Sequence, residues 1–118
     1  MEKTYFKYEE FACNCCGNVS MDGDLIDKLN DARRDYGQPI IITSGYRCEK
    51  HNKKIGGSPT SSHLTGRAVD IQCLISNDRF HLLQSLFYAG FSRIGVAKTF
   101  IHVDIDELDK PFNMLWTY

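Results

Sequence analysis

The hydrophobic positions of the chain first outline two main helices. Segment 24–36 carries apolar residues at helical spacing, and Gly37 follows it as a residue type that commonly ends a helix. Segment 77–89 has the same spacing, and Ser76 before it is a suitable N-cap. Between them, the polar segment 48–57 predicts a short helical turn that runs into a glycine-rich loop.

Other segments have the composition of strands. Segment 39–44 is apolar and β-branched without polar alternation, which predicts a buried strand, and 67–73 predicts a second one. Segments 93–97 and 100–105 predict a hairpin around Lys98 and Thr99. The predicted fold class is therefore α+β, a small and mainly antiparallel sheet flanked by two main helices.

The two ends of the chain are less regular. Residues 1–20 combine aromatic residues with cysteines and predict an irregular N-terminal arm, and 111–116 predicts an aromatic tail. The length of 118 residues fits one domain spanning 1–118.

Composition narrows the range of partners. The chain is 42% hydrophobic with a net charge of −1, which is typical of a folded protein and argues against nucleic acid as the main partner. Its apolar runs are shorter than a membrane span, and the polar start does not resemble a signal peptide. We expect a monomer that is made in the cytoplasm without membrane insertion.

Two stretches carry the residue types of a metal site. His63 and Asp70 lie seven residues apart with Gly66 between them, a glycine that can turn the chain so that both side chains converge. His102 and Asp104 lie two residues apart on a predicted strand, so they share one face. Two imidazoles and one carboxylate leave a position open on a tetrahedral zinc ion, as in hydrolytic sites.

At this point the chain resembles a known family, the M15 zinc D,D-peptidases. These include D-alanyl-D-alanine carboxypeptidases, dipeptidases and phage L-alanyl-D-glutamate endolysins, and the Hedgehog signalling domain shares their fold. The resemblance implies that His63, Asp70 and His102 bind one Zn²⁺ and that Arg47 faces the substrate carbonyl oxygen. It rests on three blocks: Ser61-x-His63-x-x-Gly66-x-Ala68-x-Asp70 with the later His102-x-Asp104, the run from Ile42 to Arg47, and His51-Asn52 before Gly56-Gly57.

The general base is a departure from that family. Its members commonly carry Asp or Glu three residues before the last histidine ligand, where this chain has Thr99. Asp104 is the nearest carboxylate, and it either accepts the proton or orients His102, with the first role slightly favoured.

Three further polar residues lie near the motif. Ser44 and Ser61 are interpreted as substrate contacts or as donors that support the ligands. His51 is either a substrate contact or a solvated loop residue.

The chain has five cysteines, four of which are candidates for a second metal site. Cys13, Cys15, Cys16 and Cys48 together either bind a second zinc ion, form a disulfide or remain free thiols, whereas Cys73 is expected in the core.

Three functions follow as hypotheses. The first is a peptidase that cleaves peptidoglycan stem peptides as a D,D-carboxypeptidase or an endolysin-type endopeptidase. It would be a phage-type enzyme that reaches the cell wall by means of a holin or a virion. The second is a non-catalytic zinc module that binds a wall peptide or a protein, which Thr99 favours. The third is a redox or metal-buffering role for the cysteines.

Overall fold

The structure is a computed structural model that describes residues 4–107 and 110–118. Two 3₁₀ turns, Tyr8–Phe11 and Ser62–Thr65, accompany the regular elements. The helices and strands are α1 (Gly23–Tyr36), β1 (Ile42–Ser44), α2 (Glu49–Lys54), β2 (Ala68–Gln72), α3 (Ser76–Tyr88), β3 (Arg93–Val96), β4 (Phe100–Asp104) and β5 (Met114–Thr117).

The strands form one five-stranded sheet in the order β1-β2-β4-β3-β5. Neighbouring strands are antiparallel except β3 and β5, which are parallel. The α+β class, the mainly antiparallel sheet and the hairpin of β3 and β4 are thus confirmed, in agreement with a Hedgehog-like fold. Within the described residues, helices long and apolar enough to cross a membrane are absent.

The two predicted main helices are confirmed as α1 and α3. Helix α1 begins after Asp22, whose side chain accepts a hydrogen bond from the Asp24 amide, and ends at Gly37 in the left-handed conformation. The prediction of Ser76 as the N-cap of α3 was wrong. Ile75 occupies that position, and Ser76 instead accepts a hydrogen bond from the Arg79 guanidinium at 3.3 Å.

Strand β1 is shorter and more exposed than predicted. It begins at Ile42, and the side chains of Ile41 and Thr43 are exposed. Because β1 lies at the edge of the sheet and pairs only with β2, one of its sides faces solvent. The prediction of a buried strand over 39–44 was therefore wrong.

The C-terminal aromatic tail is a strand rather than an irregular segment. Strand β5 pairs in parallel with β3 from Arg93↔Met114 to Val96↔Thr117. A parallel edge pairing joins segments that are distant in the chain, and local periodicity carries no signal for it.

Alternation along the central strands separates a core face from a polar face. Val69 and Ile71 of β2 and Ile101 and Val103 of β4 are buried in the core beneath the helices. Apolar residues of α1 and α3 complete this core together with Phe6 and Phe11 of the N-terminal arm. The opposite face of the sheet is left for polar side chains.

Candidate metal centre

One row of residues crosses the polar face of the sheet. Ser44 pairs with Asp70, Asp70 with His102, His102 with Gly95, and Gly95 with Trp116. Because paired residues of neighbouring strands project from the same face, the backbone register itself brings Asp70 and His102 together.

A 3₁₀ turn brings His63 to this row. The Ser61 side chain accepts a hydrogen bond from the His63 amide at 3.2 Å, and Gly66 ends the turn in the left-handed conformation. An added Cβ at Gly66 would collide with the backbone of Ser20, so the turn requires glycine. The turn expected at this glycine is confirmed.

The three predicted ligands lie together. His102 Nδ1 is 2.9 Å and His63 Nε2 is 3.4 Å from Asp70 Oδ1, and the candidate ligand atoms all lie within 4.8 Å of one another. The other ring nitrogens have partners: His63 Nδ1 lies 2.8 Å from the Gly45 carbonyl oxygen, and His102 Nε2 lies 2.8 Å from Asp104 Oδ2. In the neutral tautomers that donate these bonds, each inner nitrogen presents a lone pair, so the set fits a zinc ion.

The electrostatics of the centre favour positive charge. Burial raises the pKa of Asp70, but bonds and charges from His102 and His63 outweigh it, so this pKa lies well below its usual range. Burial lowers the pKa of His102, but bonds to Asp104 and Asp70 prevail and hold it above its ordinary value. A site that keeps its carboxylate ionised and stabilises a cation suits a divalent metal.

Asp104 is buried and held from several sides. Arg93 Nε donates to Oδ1 at 2.6 Å, the Asp106 amide donates to the same oxygen at 3.1 Å, and His102 Nε2 lies 2.8 Å from Oδ2. Burial raises the pKa of Asp104, while His102, Arg93 and the Asp106 amide lower it to a net value below its usual range. Sequence reasoning missed Arg93, although β3 starts at this arginine and its register partner is Asp104.

Arg47 lies beside the metal ligands. Its guanidinium is 3.5 Å from Asp70 Oδ2, and it donates to Ser44 Oγ at 3.2 Å and to Asn52 Oδ1 at 3.3 Å. Asn52 is itself buried and donates to the Ser58 carbonyl at 2.8 Å. Sequence reasoning quoted Asn52 in a motif without assigning this role.

The remaining predicted residues lie at different distances from the centre. Ser61 is among the residues that line the cleft, whereas Ser44 accepts a hydrogen bond from Arg47. His51 lies on α2 next to Cys48 and is not among the residues that line the cleft. Thr99 is exposed in the turn between β3 and β4, also outside the lining.

The ligands form the floor of an open cleft of about 380 Å³. Three aromatic residues line it, Phe100, Trp116 and Tyr118, and the Trp116 ring centroid is 5.5 Å from that of His102. Lys110 also lines the cleft and donates to Ser62 Oγ at 2.9 Å.

Three of the cysteines also form a group. The sulfur atoms of Cys13, Cys16 and Cys48 lie within 4.8 Å of one another, and the exposed Cys15 is not part of this group. The four-cysteine set is therefore reduced to three. Cys73 is buried in the core, as expected.

The fold and the site together indicate a class of enzyme. Two imidazoles and a carboxylate on the floor of an open cleft, with an arginine beside them, are typical of mononuclear metal-dependent hydrolases. The family profile described as Peptidase M15 matches residues 4–104. The chain therefore belongs to the Peptidase M15 family, which confirms the resemblance and supports a peptidase. Among curated proteins, a comparison finds none that matches the chain.

Proposed function

We propose that the protein is a zinc-dependent peptidase that hydrolyses a peptide bond of peptidoglycan stem peptides. The observation that carries this proposal is the convergence of His63, Asp70 and His102 at the floor of an open cleft. The action is of the D,D-carboxypeptidase or endopeptidase type.

His63, Asp70 and His102 would hold the ion in this site. When bound, zinc supplies Lewis acidity, which polarises a carbonyl group and lowers the pKa of water to about 7. Arg47 presents a charged fork to the cleft and is fixed by Ser44, Asn52 and Asp70. A cation fixed before reaction stabilises the negative charge that develops on the carbonyl oxygen.

Asp104 has the contacts of a positioning residue. It lies across the His102 ring from Asp70, and its oxygens contact Arg93, the Asp106 amide and His102. Such a carboxylate fixes the tautomer and orientation of a ligand histidine. Of the two roles left open by the sequence, we propose the orienting one.

The charges and rings of the cleft support an anionic peptide as substrate. Arg47, Arg93 and Lys110 line the cleft against the carboxylates of Asp70 and Asp104, and a divalent ion adds to the positive side. The aromatic wall offers flat apolar surface for an extended chain. Stem peptides carry free carboxylates and D-residues, so they suit such a cleft. We propose that the protein acts at the cell wall. As a product of the cytoplasm, it would be released to the wall by a holin.

The test is digestion of purified peptidoglycan with zinc-loaded protein, followed by mass analysis of the products. We expect fragments that identify one stem-peptide bond, loss of these fragments with a chelator, and recovery when zinc is restored. The matched control is His63→Ala, which should release none. Intact peptidoglycan after treatment with fully zinc-loaded wild-type protein would overturn the proposal.

A zinc-containing binding module is the second candidate function. It is favoured by the placement of acidic groups: of the described residues that line the cleft, the carboxylates are Asp70 and Asp104, and both are already engaged. Thr99 lies outside the cleft. Sedimentation with intact peptidoglycan in the absence of cleavage would favour this function over the peptidase.

A further inference from the structure

The N-terminal arm and the segment after β1 meet at the three-cysteine group. Cys13 is buried, Cys48 is half-buried and Cys16 is exposed, so the group opens to solvent on one side. All three cysteines are free. The metal site of the cleft contains none of them.

The local backbone around these sulfur atoms is ordered by hydrogen bonds. The Gly17 amide donates to the Cys13 carbonyl at 2.9 Å, which closes a tight turn around Cys-x-x-Cys spacing. Cys13 Sγ accepts the Cys48 amide at 3.5 Å. On the other side, Cys48 caps α2, and its sulfur accepts the His51 amide at 3.4 Å. These donors hold the sulfur atoms of Cys13 and Cys48 in place.

The sulfur spacing decides between a metal and a disulfide. Two thiolates on a tetrahedral zinc ion lie about 3.8 Å apart, since each Zn–S bond is about 2.3 Å, whereas a disulfide requires about 2.05 Å. Cys13 Sγ and Cys48 Sγ are 3.7 Å apart. A disulfide between these two would also leave Cys16 without a role, whereas a metal uses all three.

We propose that Cys13, Cys16 and Cys48 bind a second zinc ion, separate from the metal of the cleft, with water from the solvent-exposed side as the fourth ligand. Cys15 is outside this ligand set. Soft thiolates select zinc over magnesium or calcium, and the Cys-x-x-Cys spacing is typical of structural zinc sites.

The ion would fasten the arm to the segment that carries Arg47. The Tyr46 amide already donates to the Phe11 carbonyl at 2.8 Å, and Gly45 lies against the Phe11 backbone. Cys48 directly follows Arg47, so a metal bond at Cys48 fixes the backbone beneath its guanidinium. The thiolate site does not depend on the proposed function, whereas its effect on Arg47 does.

Cobalt titration of the reduced, metal-free protein tests the proposal, because thiolate-bound Co²⁺ has an ultraviolet charge-transfer band. We expect two equivalents of Co²⁺ in the wild type, with the band belonging to one of them. Cys16→Ser is the test variant, since Cys16 is exposed and its replacement should not disturb folding. It should lose the band and one equivalent.

Two variants serve as controls. Cys15→Ser, in the same loop, should keep both equivalents and the band, and His63→Ala should keep the band while it loses the other equivalent. Zinc should raise the melting temperature of His63→Ala and have no effect on His63→Ala combined with Cys16→Ser.

Three results would overturn the proposal. They are two equivalents in Cys16→Ser, loss of the band in Cys15→Ser, and a Cys13–Cys48 disulfide in folded wild-type protein that has been purified under reducing conditions. Each is independent of whether peptidoglycan is cleaved by the cleft site, so the two proposals can fail separately.

Discussion

Asp104 shows how neighbours decide the role of a residue. The sequence places it two residues after His102 on a strand, which suits either a base or a support for the histidine. Its partner Arg93 lies on the neighbouring strand β3, so the choice required the structure. Burial raises the pKa of Asp104, but the three donors outweigh burial and hold this pKa below its usual range, so the carboxylate accepts a hydrogen bond from the His102 ring and is a weak acceptor for a further proton.

Asp104→Asn separates the two roles. We expect zinc affinity to fall about 10- to 100-fold, because the histidine loses its charged acceptor, while turnover per bound zinc stays near that of the wild type. Competition with a chelating dye gives the affinity, and peptide release at saturating zinc gives the turnover. Thr99→Ala should leave both unchanged, since Thr99 lies outside the cleft. If Asp104→Asn kept full zinc affinity but lost turnover, Asp104 would instead be the general base.

Arg47 is the second residue whose role can be isolated. Arg47→Ala should lower turnover about 10²- to 10³-fold, since a fixed charge facing the carbonyl oxygen is lost, and should leave zinc content unchanged. Arg47→Lys keeps the charge but loses the planar guanidinium that contacts Ser44, Asn52 and Asp70. Its turnover should therefore lie between that of the wild type and that of Arg47→Ala. Unchanged turnover in Arg47→Ala would show that Arg47 has only a structural role.

At the scale of elements, the sheet register builds the site. Helical spacing, a terminal glycine and the hairpin were sufficient to predict α1, α3, β3 and β4. The extent and exposure of β1 depend on its place at the sheet edge, and β5 depends on a parallel pairing with β3. Both are long-range properties, so local patterns did not reveal them.

Gly95 provides the test at this scale. An added Cβ would collide with the Trp116 ring, so only glycine lets this ring lie across β3 beside His102. Gly95→Ala should therefore displace β5 and destabilise the protein by about 1–3 kcal/mol, the usual cost of overpacking. Urea unfolding measures the stability, and the fluorescence of Trp116, the single tryptophan, reports its environment.

Gly23→Ala is the matched control, because an added Cβ there meets nothing within 4 Å. It should leave both stability and fluorescence close to those of the wild type. Equal behaviour of the two variants would show that the approach of Trp116 to Gly95 is not required.

At the scale of the whole molecule, the fold separates a core face from a chemical face. The candidate ligand set could be chosen from the sequence because its residues match the family's motif, and the structure brings these residues together. The supporting residues were not predictable, because Arg93 and Lys110, which line the cleft, and Asn52, which contacts Arg47, come from segments with no recognisable spacing to the candidate ligands. The cysteine group likewise needed the arm and α2 to be placed before Cys15 could be separated from the other three.

The most direct test of the central claim is a zinc titration of the metal-free protein that follows release of stem-peptide fragments. We expect no release without metal, a rise with added zinc that follows occupation of the His63–Asp70–His102 site, and no release at any zinc concentration in His63→Ala. Release that is independent of zinc, or undiminished release in His63→Ala, would contradict it.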